Sequence, residues 1–189
     1  SRGPDGRGQA PRRLLDGERV THEGRFYRMH DAVCAPRPLQ PRLPIMIGGS
    51  GPRKTMPVVA RYADMWNAFG SPEELHERDL LLRSLCAEVG RDPEAIERTV
   101  GCKITIRGTE AEAQRALDGL LATNHLTRAD IADDETFWTG TPEHIAEIMA
   151  GYAKVGFGTF ICELPAPYDD ETLETLVQVV KPMVEAAGG

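Results

Sequence analysis

The stretch Ile45-Met46-Ile47-Gly48-Gly49-Ser50-Gly51-Pro52-Arg53-Lys54-Thr55 holds the residues whose types and spacing point most directly to chemistry. Three apolar residues run into three glycines within four positions, followed by two cations and a hydroxyl. Glycines let backbone amides approach an anion closely, a helix opening at this point adds partial positive charge, and an arginine or lysine pairs with phosphate oxygens. Gly48, Gly49, Ser50 and Gly51 are therefore candidate amide donors, with Arg53, Lys54 and Thr55 as candidate side-chain ligands. The spacing is neither GxxxxGK[ST] nor GxGxxG, so neither a nucleotide P-loop nor a dinucleotide fingerprint is present. Taken alone, the segment fits two readings: a phosphate cradle, or an ordinary strand-to-helix turn whose cations face solvent.

Other chemistry-bearing residues are less organised. Glu163 ends a predicted strand, and Asp169, Asp170 and Glu171 follow. General acid–base work needs a carboxyl with a shifted pKa beside the reacting atom. Helix capping accounts better for Asp169 or Asp170, and a pairing with Lys103 or a wet rim position serves equally for Glu163. Thr139 and Gly140 precede a helix start and offer a second anion contact, although Thr141 reads better as a plain N-cap. The histidines show no ligand spacing, and the cysteines, Cys34, Cys86, Cys102 and Cys162, lie far apart along the chain. They read as buried thiols, with no metal site and no disulfide. No residue is assigned as catalytic.

The elements that must position these groups follow from hydropathic period. Residues 1–13 are rich in Gly, Pro and Arg, without an apolar repeat, and read as a disordered or foreign leader. Residues 20–42 read as a small hairpin and a proline-rich extended connection. Leu43–Gly48 is a short buried strand, and a helix is expected over 53–63, with Met56, Val59, Tyr62 and Ala63 on one face. Asp64–Ala68 is a second strand, and Ser71-Pro72-Glu73-Glu74 caps a helix reaching about Val89. Residues 99–107 form a third strand, and Thr109 caps a helix to about 122 with Ala113, Ala116, Leu117 and Leu120 inward. After a polar excursion over 124–135, Thr141-Pro142 opens a helix that Gly156 ends. A fourth strand, 158–164, leads to a last helix carrying Leu173, Leu176, Val177, Val180 and Met183.

Four strands, each followed by a helix, define an α/β fold with parallel strands, because parallel neighbours require crossover connections. A complete (β/α)8 barrel takes about 250 residues, so 189 residues with four such units amount to half a barrel. A small doubly wound sheet is the competing architecture. The net charge of −7 argues against nucleic acid and anionic membrane as partners. No apolar run is long enough to span a bilayer, and the expected location is cytoplasmic. Small molecules, or other copies across exposed half-barrel edges, are the expected partners.

The segments EGRFYRMHDAVCAPRPLQPRLPIMIGGSGPRKTMPVVARYADMWN, KITIRG and GTPEHIAEIMAGYAKVGFGTFICELPAPYDDETLETLVQVVKPMVE closely resemble luciferase-like monooxygenases. Within that superfamily the chain is most similar to the coenzyme F420-dependent or flavin-dependent oxidoreductases. PIMIGGSGPRKT, ADMWN, and GTPEHI followed by ELPAPYD carry the resemblance, which spans about residues 14–186. It implies a TIM barrel, here the C-terminal half with strands five to eight over 14–189, and F420 or FMN as cofactor. It places the cofactor phosphate on Gly48, Gly49, Ser50, Gly51, Arg53, Lys54 and Thr55. Trp66 and Asn67 fall at the carboxyl end of the next strand, the face that carries barrel active sites. Trp66 then either closes the barrel core or stacks on the cofactor. The implied activity is hydride transfer between reduced cofactor and an organic substrate, or oxygen activation if FMN is used. The alternative is a catalytically inactive half-barrel that only binds cofactor phosphate or self-associates.

Overall fold

The structure, a computed structural model, describes residues 6–24 and 27–187. The chain forms two compact units: one runs to Trp66 and includes Leu81–Ile96, the other comprises Asn67–Leu80 and the chain from Glu97 onward.

The first unit opens with helix α1 (Gly6–Leu15), which packs against β1 (Val20–Glu23) and against α2 (Met56–Tyr62). The expected disordered or foreign leader covers residues 1–13; over 6–13 the chain is helical, and residues 1–5 lie outside the described residues. The reason is tertiary. Ala10 is buried, Arg12 donates to the Leu43 carbonyl at 2.6 Å, and Arg12 also forms an ion pair with Asp64. Such anchoring outweighs a composition poor in helix formers, including Pro11 inside the helix.

Strand β1 pairs antiparallel with β2 (Arg28–Ala32), as the hairpin reading requires, with Val20 opposite Ala32. Strand β3 (Met46–Gly48) is shorter than expected, and α2 starts at Met56, leaving 52–55 as turn. Pro57 in the first turn of α2 loses no bond there, since its position has no intrahelical acceptor to reach. Met56, Val59, Ala60 and Ala63 are fully buried. Arg91 caps the other end of α2, donating to the carbonyls of Val59, Ala60 and Ala63. The Val59 carbonyl also accepts from the Ala63 amide, and a guanidinium at this end of a helix complements its negative pole.

Strand β4 (Met65–Ala68) and helix α3 (Pro72–Glu88) each contribute residues to both units. In the second unit the organising element is β5 (Glu97–Ile106), almost wholly buried. It pairs in parallel with β6 (Phe137–Gly140) and with β7 (Thr159–Glu163). The Lys103 amide donates to the Thr136 carbonyl at 2.7 Å, which turns the odd-numbered amides of β5 toward β6. The even-numbered ones therefore face β7 on the opposite edge. Strand β6 has no counterpart among the expected strands: its four residues, after a polar excursion, carry too short an alternation to register.

Helices α4 (Glu110–Thr123) and α5 (Pro142–Lys154) start as their caps require. The Thr109 hydroxyl accepts from the Glu112 amide at 3.3 Å and that of Thr141 from the His144 amide at 3.4 Å. Their buried faces are Ala113, Leu117 and Leu121, and Ile145, Ala146, Met149 and Tyr152. The last helix is instead three pieces, α6 (Asp170–Thr175), a π-helical turn over Leu176–Val180, and α7 (Lys181–Ala187). The π turn shifts the facing side chains, so Val180 is buried while Leu173, Val177 and Met183 stay exposed. Arg98 and Asp79 form a buried ion pair at 2.8 Å that locks β5 to the first part of α3.

Candidate functional site

The glycine turn sits directly beyond the carboxyl end of β3. Gly48 closes the strand, Gly49 has φ +103°, and Thr55 stands immediately before α2. A positive φ of this size is open to glycine and strained for other residues. At Gly51 the constraint is space, because a Cβ would lie 3.3 Å from the Thr55 hydroxyl. The amides of Thr55 and Met56 both donate to the Gly51 carbonyl at 3.0 Å. Among the described residues, the amides of Ser50, Gly51, Arg53 and Lys54 make no backbone hydrogen bond.

The side chains around the turn are equally uncommitted. Arg53 and Lys54 are exposed, and among the described residues neither makes an ion pair. The Thr55 hydroxyl makes no capping bond. The turn thus presents spare amides, two cations and a hydroxyl within eight residues, a donor set suited to a multiply charged oxyanion.

Trp66 is completely buried, and its indole N–H donates to the Gly49 carbonyl at 2.9 Å. The ring therefore fastens the glycine whose φ is positive. Asn67, the next residue, belongs to the second unit, where its side-chain oxygen accepts from the Thr99 hydroxyl at 2.9 Å.

One ion cluster braces the opposite, amino-terminal end of β3. Asp64 accepts from the Ile45 amide at 2.8 Å and from Arg42 at 2.7 Å, besides its pair with Arg12. Burial pushes its carboxyl up, but the bonds from Arg42, Ile45 and Arg12 outweigh this and hold it below the ordinary range. The amides of Asp64 and Met65 both donate to the Ile45 carbonyl. Sequence reasoning missed this clamp, because pairs formed over 19 to 52 positions leave no periodic trace.

In the second unit the carboxylates fall into structural roles. Asp169 caps α6 by accepting from the Thr172 amide, and its two oxygens take the Arg107 fork at 3.0 and 3.1 Å. Burial raises the Asp169 carboxyl, and the bonds from Arg107 and Thr172 more than reverse that. The Thr172 hydroxyl also accepts from the Ile106 amide at 2.9 Å, joining α6 to the end of β5. Glu163 lies 3.7 Å from Lys103, whose ammonium also approaches Asp134 and the Phe137 ring. Thr139 and Gly140 are the last residues of β6, and Thr141 is the N-cap. Among the described residues, no group of three or more His, Cys, Asp or Glu could hold a metal ion, and no helix is long and apolar enough to cross a membrane.

Parallel β–α units with a glycine turn at a strand's carboxyl end define an α/β protein. The sequence profile of the luciferase-like monooxygenase family matches residues 9–159, and the chain belongs to that family. An F420-dependent glucose-6-phosphate dehydrogenase of Kineococcus radiotolerans is 27% identical over 195 residues, covering 92% of this chain and 57% of the relative. An F420-dependent secondary alcohol dehydrogenase, solved with an F420–acetone adduct, superposes with a TM-score of 0.74 at 17% identity, over 93% of this chain and 59% of that one. The oxygenating constituent of a diketocamphane monooxygenase from Pseudomonas putida, solved with FMN, gives 0.61 at 17% identity, over 92% and 60%. Those likenesses show the fold: these neighbours are TIM-barrel enzymes, and the chain spans little more than half their length. The half-barrel reading therefore stands over the doubly wound sheet.

Proposed function

We propose that this chain is the cofactor-phosphate-holding portion of an F420- or FMN-dependent oxidoreductase that acts on a small organic substrate. The observation that carries the reading is the turn at Gly48–Thr55: amides without internal acceptors, a glycine at φ +103°, and two unpaired cations. A phosphate fits this donor set, and Gly51 keeps clear the space beside the Thr55 hydroxyl that a Cβ would crowd. The amides of Ser50 and Gly51 orient the anion, Arg53 and Lys54 neutralise it, and the Thr55 hydroxyl supplies one further bond. Trp66 is a positioning residue, acting through Gly49.

When bound, the cofactor supplies two-electron hydride chemistry, or oxygen activation in the case of FMN; the protein binds and orients it. The Kineococcus relative and the secondary alcohol dehydrogenase are F420-dependent, and the diketocamphane enzyme was solved with FMN. Titration of the chain with F420 and with FMN, followed by fluorescence, tests the reading. Saturable binding that inorganic phosphate weakens supports it. Absence of binding by either cofactor, to the chain and to any longer product containing it, overturns it.

A further inference from the structure

Cys102 and Cys162 lie 60 positions apart in sequence, yet they are register partners on β5 and β7. Their side chains leave the same face of neighbouring parallel strands, which run about 4.8 Å apart. That spacing falls inside the Cα separation a disulfide tolerates, roughly 4.4–6.8 Å. The two sulfurs are 3.8 Å apart, both as free thiols, with the Cys102 S–H donating to Cys162. Cys102 is buried. Cys162 is only half-buried and lines a cavity of about 480 Å³ together with Met149, Phe160, Leu176 and Lys181. A small molecule entering there meets Cys162 first, with Cys102 directly behind it.

We propose that Cys102 and Cys162 are an oxidisable dithiol, converted to an intrachain disulfide by a small hydroperoxide that enters through the cavity at Cys162. In the first step the Cys162 sulfur attacks the peroxide oxygen and the O–O bond breaks. The thiol proton leaves with the departing oxygen as water or alcohol, and Cys162 becomes a sulfenic acid. In the second, the Cys102 sulfur attacks that of Cys162, the S–O bond breaks, and water departs with the Cys102 proton. Two thiols lose two electrons and the peroxide gains them. Cys162 is suited to the first role, because the bond it accepts from Cys102 holds its thiol below the ordinary value despite burial.

The test exposes the full chain to hydrogen peroxide, blocks the remaining thiols, and digests with trypsin without reduction. The expected result is a linked pair of peptides, residues 99–103 and 155–189, about 2 Da lighter than their sum and separated by dithiothreitol. Cys162 should be consumed about tenfold faster than the fully buried Cys86. In Cys102→Ser, Cys162 should stall as a sulfenic acid that dimedone captures. The proposal is overturned if wild-type Cys162 gains one or more oxygens without linkage to Cys102, or if both thiols survive while Cys34 reacts. The wild-type digest decides the matter even if the variant fails to fold.

Discussion

The indole of Trp66, wholly buried, donates its one N–H to the carbonyl of Gly49 across 2.9 Å. A core side chain is thereby tied to the residue whose positive φ makes the glycine turn possible. Trp66→Phe keeps most of the ring and removes this bond, leaving the Gly49 carbonyl short of a donor. The expected cost is about 1–3 kcal/mol in folding stability, read as a lower urea midpoint with an unchanged slope. Cofactor affinity should fall as well. A variant with unaltered midpoint and affinity would show that the bond does not hold the turn.

Gly49→Ala places a Cβ on backbone at φ +103°, with the Thr55 methyl 3.5 Å away. Space is adequate there, so the penalty is conformational, about 1–2 kcal/mol. Gly90, at φ +68° with nothing within 4 Å, is the control. Both substitutions should lower stability similarly, but only that at Gly49 should weaken F420 or FMN binding.

Arg53 and Lys54 are exposed, so removing either charge should leave the fold intact. Each of Arg53→Gln and Lys54→Gln should weaken cofactor binding about tenfold, equivalent to about 1.4 kcal/mol, as for a charge-assisted bond. The wild-type affinity should also fall with added salt. Binding that ignores both substitutions would remove the cations from the site.

Asp64 links stability to pH. Its folded carboxyl titrates below the unfolded value, so its contribution is fully present above the unfolded pKa of about 3.9. That contribution is lost as pH falls through the lower, folded value. Asp64→Asn should cost about 1.5–3 kcal/mol at pH 7, and the gap to wild type should narrow as pH drops below about 4. Urea midpoints measured at pH 7 and pH 3 check this; a constant gap would mean that the charge of Asp64 is not what binds Ile45, Arg42 and Arg12.

Much of this molecule could be read from neighbouring residues alone. Thr109, Thr141 and Asp169 cap the helices that follow them, because a cap is a bond between residues two or three positions apart. The apolar runs at 43–48, 64–68 and 158–164 each contain the strand observed there, and the run at 99–107 overlaps a strand that begins two residues earlier, at Glu97. Helix α1 was hidden because its support comes from Asp64 and Leu43, far along the chain. The π turn in the last helix was hidden too, since a regular 3.6-residue period assigns Leu173 and Val177 to a face they do not occupy.

The amino-acid sequence by itself determined the succession of strands and helices and the glycines and cations at 48–55, since these depend on local backbone preference and hydropathic period. Only the tertiary structure decided that Trp66 reaches the Gly49 carbonyl, that Asp64 gathers two arginines and the Ile45 amide, and that Cys102 meets Cys162. Each of these is set by strand register and packing between distant segments. One residue of slip would turn the side chains concerned to the other face of the sheet.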